Sequence, residues 1–123
     1  MIRITRVYEP RDDTGGALHV LVDGLWPRAM AEDDERIDEW WKELAPTPML
    51  RTWYSHQADR WDEFSARFQD ELSGEDVRPV LEKARKTAAD RGLVLLTATK
   101  DLSLSHTRIL ARVIEPGWHP QSD

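Results

Sequence analysis

The sequence predicts an α/β domain, a single three-layer unit with a mainly parallel sheet and helices on both faces. Three observations lead there. Leu93-Val94-Leu95-Leu96 is the most hydrophobic stretch and lacks alternation, the pattern of a strand buried on both sides. Ile2, Ile4 and Tyr8 alternate with polar residues, and Leu18 to Val22 is an apolar run broken only by His19, which adds two strands. Helical periodicity fills much of the remaining chain, and strands separated by helices need crossovers, hence parallel pairing.

Taken in order, the first strand should stop at Pro10 and Arg11-Asp12-Asp13-Thr14-Gly15-Gly16 should turn the chain into the second, which ends at Asp23-Gly24. Ile37, Trp40, Trp41 and Leu44 fall at i, i+3, i+4 and i+7 and predict a short amphipathic helix closed by Pro46. Thr47-Pro48 reads as an N-cap with proline at the first helical position, opening a helix through Leu50, Trp53 and Tyr54 to about His56. Trp61, Phe64, Phe68 and Leu72 mark the next helix, behind acidic residues that complement its dipole. A further helix, capped by Asp76, carries Val77, Val80, Leu81 and Ala84 and ends at Gly92 in left-handed conformation. The last begins near Ser103 or Ser105, bears Ile109, Leu110, Val113 and Ile114, and stops at Pro116-Gly117.

The 123 residues suit one domain, expected over 1–117 with a loose tail at 118–123. No cysteine is present, so disulfides, thiolate metal sites and a cysteine nucleophile are excluded. No apolar run suits a signal peptide or a membrane span, and a cytoplasmic protein is expected. The net charge of −6 argues against a protein that coats a nucleic-acid backbone. Walker, G-x-G-x-x-G, G-x-S-x-G and H-E-x-x-H patterns are all missing, so no cofactor and no metal centre are expected. The oligomeric state is not encoded in any pattern.

Parallel sheets bind ligands beyond the carboxyl ends of their strands. Two segments hold that position here: Asp23-Gly24-Leu25-Trp26-Pro27-Arg28, and Thr97-Ala98-Thr99-Lys100-Asp101 with His106 beyond it. Arg28 and Lys100 suit a carboxylate or phosphate. His106, in the first turn of a helix whose dipole opposes protonation, suits general acid–base work beside Asp23, or else a hydrogen bond to a loop carbonyl. Trp26 offers an aromatic face for a stacked base, or a core anchor; His56, at a helix end, is either a ligand-side group or a C-cap. His19 and His119 stay outside the site.

These segments resemble the YeaO-like family, domain of unknown function 488. The match rests on Arg6-Val7-Tyr8, on Leu21-Val22-Asp23-Gly24-Leu25-Trp26-Pro27-Arg28, and on Trp41-Lys42-Glu43-Leu44-Ala45-Pro46-Thr47. Leu50-Arg51, Trp53-Tyr54, His56, Arg60-Trp61, Glu71-Leu72, Leu93 to Leu96, Lys100-Asp101 and His106 continue it. The resemblance spans about residues 3 to 114 and implies a compact, bacterial-type, cytosolic α/β domain with no established reaction. Its matching polar positions, Asp23, Arg28, Lys42, His56, Lys100, Asp101 and His106, coincide with those picked by the strand-end rule. Ala29 and Ser55 stand where the family usually has glycine, Thr47 where it has serine, and Ser105 where asparagine often precedes the histidine.

The expected function is that of an enzyme or binding protein for a small anionic metabolite, a nucleotide or nucleobase derivative. His106 and Asp23 would be catalytic, with Trp26, Arg28, Lys42, His56, Lys100 and Asp101 binding the ligand. The alternative is a non-catalytic protein-interaction or regulatory module.

Overall fold

The computed structural model describes residues 1–120. Strands β1 (Ile2–Arg6), β2 (Leu18–Leu21), β3 (Glu39–Trp40) and β4 (Leu93–Thr97) form one sheet in the order β1-β4-β2-β3, with every pairing parallel. β4 lies between its two long neighbours, Leu93 facing both Ile2 and Leu18, and all five of its residues are buried. That is the burial its unbroken apolar run requires.

Helix α1 (Pro48–Tyr54) opens on Thr47, whose hydroxyl accepts the Leu50 N–H at 3.4 Å. Helix α2 (Trp61–Leu72) buries Phe64, Phe68 and Leu72 at the expected spacing. Helix α3 (Arg78–Asp90) buries Leu81, Ala84 and Ala88; Val77 holds its cap position and no side chain caps it, so the cap expected from Asp76 is not made. The turn after α3 needs Gly92, which adopts φ +89° with Ala17 Cβ 3.4 Å from where its own Cβ would stand. Helix α4 (His106–Ile114) is capped by Ser105, whose hydroxyl accepts the Thr107 N–H at 3.2 Å.

The segment expected as a helix over Ile37 to Leu44 is instead β3 followed by a 3₁₀ turn at Lys42–Leu44. Backbone pairing decides this: the Asp38 and Trp41 N–H groups donate to His19 O and Leu21 O, both at 2.9 Å. The indoles are also committed, Trp40 Nε1 to Asp23 O and Trp41 Nε1 to Glu39. Four apolar residues at helical spacing therefore arise from a strand end plus one tight turn.

The α/β class and parallel sheet are as expected, but the helices are not shared between the faces. All four pack in one cluster against Ile2, Val20, Leu93 and Leu95. The opposite face, with Leu21, Val94 and Leu96, is covered by irregular chain carrying Val7, Ala17, Trp26, Met30 and Ile37, with one 3₁₀ turn at Thr14–Gly16. The connections β1 to β2 and β2 to β3 run as loops, so the sheet has a helical layer on one side only.

Packing also continues beyond residue 117. Trp118, expected in a loose tail, is buried and donates its indole N–H to Ile2 O at 2.9 Å. Of the expected tail, residues 121–123 lie outside the described residues.

Candidate functional site

Beyond the carboxyl ends of β2 and β4 lies a pocket of about 400 Å³, walled by the loop after β2, the loop after β4, α1 and the start of α4. Of the residues singled out by sequence, Asp23, Trp26, Arg28, His56 and His106 line it.

Asp23 lies two residues past the end of β2 and ties the two strand exits together. Its carboxylate accepts the Thr97 hydroxyl and the Ala98 N–H, each at 2.7 Å. The bonds in which the loop after β4 offers its donors are thus closed by an internal anion.

His106 occupies the first position of α4 and is buried. Its Nε2 lies 2.9 Å from Val22 O, and since a carbonyl only accepts, Nε2 carries the proton. Burial holds the imidazole below its ordinary pKa, against the opposing pull of Asp23, whose Oδ1 is 3.8 Å away, and of the Val22 carbonyl. The helix N-terminus acts in the same direction as burial. A neutral ring leaves Nδ1 as an acceptor.

The floor is aromatic. Tyr54 stacks on Phe64 with centroids 3.9 Å apart, and its hydroxyl donates to Leu104 O at 2.8 Å. Burial, with a contribution from Asp101, pushes this phenol up to about 12, so it stays protonated. His56 lies against Tyr54 at 5.6 Å in a left-handed turn, one residue past the C-cap Ser55. Trp26 donates its indole N–H to Met30 O and packs edge-on against Trp40, so it is both core anchor and pocket wall.

Two guanidinium groups stand at the rim, Arg28 and Arg51, and both side chains are exposed. Arg51 Nη1 lies 3.6 Å from the point where a Cβ on Gly24 would stand, which sets it over the β2 exit loop. Among the described residues neither arginine joins an ion pair. Arg51 was not singled out by sequence reasoning. Its signal was the i, i+3 spacing to Tyr54, which puts both on one side of α1.

Three residues of the expected set lie off the pocket. Lys42 Nζ sits 5.1 Å from the Trp40 ring, a cation–π contact on the outer surface. Lys100 is exposed and does not line the cavity, although its strand and that of Arg28 are neighbours. Asp101 caps the 3₁₀ turn Leu102–Leu104 through the Ser103 N–H at 3.0 Å and hydroxyl at 2.6 Å, and these two bonds lower its pKa, helped by His56. The pairing expected for Arg28 at the mouth is with Arg51 rather than Lys100. Among the described residues no cluster of His, Asp and Glu is arranged to hold a metal ion, and no helix is long and apolar enough to cross a membrane.

A one-sided parallel α/β domain with a strand-end pocket of this make-up defines the class of protein. The chain belongs to the DUF488 family: the model described as the inactive DUF488-N3 subclade matches residues 1–123. It is 39% identical over 113 residues to the uncharacterized protein Rv3073c of Mycobacterium tuberculosis, covering 92% of each chain. It is 30% identical over 110 residues to the uncharacterized protein YeaO of Escherichia coli, covering 89% of this chain and 93% of that one. No solved structure matches it.

Proposed function

We propose that this domain binds a small anionic organic molecule, of nucleotide or sugar-phosphate size, in the strand-end pocket and does not transform it. The observation that carries this reading is the pair of guanidinium groups, Arg28 and Arg51, that join no ion pair among the described residues and stand over an aromatic cavity. A volume near 400 Å³ falls in the range of small-molecule sites, and charge-assisted hydrogen bonds from arginine suit phosphate or carboxylate.

Binding without turnover is supported by the state of the polar interior. His106 spends its only N–H on Val22 O, and Asp23 holds two strand exits. The subclade description, inactive, favours the same side.

The experiment is a thermal-shift panel of nucleoside monophosphates and sugar phosphates, since a native-state ligand raises Tm by mass action. Arg28→Ala and Arg51→Ala should each weaken the hit at least tenfold, as expected for a lost charged hydrogen bond of ~1.5–3 kcal/mol, while the unliganded Tm stays near wild type. Lys42→Ala and Lys100→Ala should leave affinity unchanged. A panel without any shift would sink the reading. The interaction-module alternative, favoured by the exposure of Leu25 (64%) and Met49 (84%), would then lead.

A further inference from the structure

The hydrogen-bonding groups around the pocket are sorted by kind from mouth to floor. At the mouth stand donors: the Arg28 and Arg51 guanidinium groups, and the Gly24, Leu25 and Trp26 backbone N–H groups, which have no protein partner among the described residues. Deeper in, the donors around His106 and Asp23 are committed, whereas the Thr99 hydroxyl, which accepts from Thr97, and the His56 imidazole donate to no group among the described residues. His106 Nε2–H goes to Val22 O, the Tyr54 hydroxyl to Leu104 O, the Thr97 hydroxyl and the Ala98 N–H to Asp23. The Tyr8 hydroxyl at the rim is likewise given to Arg28 O.

Around His106 and Asp23, what remains is acceptor capacity. His106 lines the pocket, and its Nδ1 lone pair accepts from no group among the described residues. Asp23, about one-sixth exposed at 17%, has used one bond on each oxygen and retains further lone pairs. An anion placed against this end of the pocket would meet the Asp23 carboxylate.

We infer that the pocket selects a dipolar ligand, with a phosphate or carboxylate held at the mouth by Arg28 and Arg51 and an N–H donor at its inner end accepted by His106 Nδ1 and Asp23. This rests on the pocket reading above and narrows it to anionic metabolites that carry an amino or amide group.

Two matched pairs test it by calorimetry: adenosine 5′-monophosphate against purine riboside 5′-monophosphate, and O-phosphoethanolamine against ethyl phosphate. The members of each pair differ only in the amine. The aminated member of at least one pair should bind about five- to tenfold more tightly, the range for one hydrogen bond. His106→Phe should erase that preference while keeping the weaker, phosphate-driven affinity. Because the variant removes the bond to Val22 O and folding has to be checked, wild-type imidazole nitrogen NMR supplies a second readout. Nδ1 should resonate as an unprotonated, pyridine-type nitrogen in the free protein and move upfield with the aminated ligand. Equal affinities within both pairs, or a protonated Nδ1, would overturn the inference and leave the pocket reading standing. No binding by any of the four would remove both.

Discussion

The two faces of the sheet are ordered by different forces. On the helical face Phe64 and Phe68 of α2 and Leu110 of α4 pack with Leu93 and Leu95 of β4 as almost fully buried hydrocarbon, the helical periodicity repeating the same contact turn after turn. The loop-clad face buries only Val7, Ala17, Leu21, Met30, Val94 and Leu96, and its cover is held by ion pairs. Arg11 grips Asp13 and Asp38, Arg36 grips Asp34, and Arg3 grips Asp12. Asp38 also accepts the His19 N–H at 2.8 Å, joining cover to sheet. Chain without a repeat cannot bury apolar area cheaply, so directional bonds fix it in place.

The comparison can be broken most directly in the core. Phe64→Ala should cost about 3–5 kcal/mol and Leu95→Ala about 2–5 kcal/mol, as large-to-small changes at buried sites do. Denaturant melts measure both; midpoints equal to wild type would show that the helical face does not carry the stability assigned to it. On the other face, Asp38→Ala should cost about 1–3 kcal/mol by leaving the His19 N–H and one side of Arg11 unpaired. A larger loss there than at Phe64 would reverse the ranking of the faces.

Acid should separate the regions by pH window. The folded state keeps His106 below the ordinary 6.5 through burial, so the unfolded chain takes up that proton first and stability falls as pH drops below about 6.5. At the loop-clad face, hydrogen bonds from Thr14 and Arg3 hold Asp12 at about 2, and those from Arg36 hold Asp34 at about 2. Burial resists ionisation of Asp38, yet Arg11 and the His19 N–H outweigh it and lower its pKa as well. The stability these carboxylates contribute is complete above 3.8 and lost as pH falls from there toward 2. Thermal melts at stepped pH should show two declines, the upper one reduced in His106→Phe and the lower one in Asp38→Asn.

The smallest effect concerns backbone strain. Ala29 (φ +60°) and Ser55 (φ +44°) adopt the left-handed conformation, at the two positions where the resembling family carries glycine. Ala29→Gly should raise stability by about 0.5–1 kcal/mol, and Ser55→Gly by less, since Ser55 Oγ donates to Thr52 O. A fall in Tm for Ala29→Gly would mean that the loop after β2 relaxes its strain elsewhere.

Legibility followed the same division. Phe64, Phe68 and Leu72 named their helix face because a period of 3.6 was sustained over three turns, and Leu93 to Leu96 named the central strand because nothing polar interrupted it. Trp40 and Trp41 misled because two indoles at a strand end imitate one helical turn. The single-sided layering was hidden because Val7, Trp26, Met30 and Ile37 cover the sheet without periodicity. In the site, the strand-end rule reached Asp23 and Arg28, in the loop that leaves β2, and His106, at a helix start. It overreached at Lys100 and Asp101, because adjacency to β4 does not determine which way an exposed side chain turns. Arg51 escaped because its place depends on α1 folding back over Gly24, a contact between distant segments.

The placement of β4 also has a temporal side. β1 and β2 do not touch each other; their common neighbour is β4, whose first residue Leu93 faces both Ile2 and Leu18. As the chain emerges from the ribosome, β1 therefore waits without a strand partner, and β2 with only the two-residue β3 beside it, until Leu93 to Thr97 has been made. Sheet assembly then closes two long loops at nearly the same moment, a topology that slows folding and leaves strand edges open to other chains meanwhile. The strand whose exit borders the pocket is thus also the last to complete the sheet.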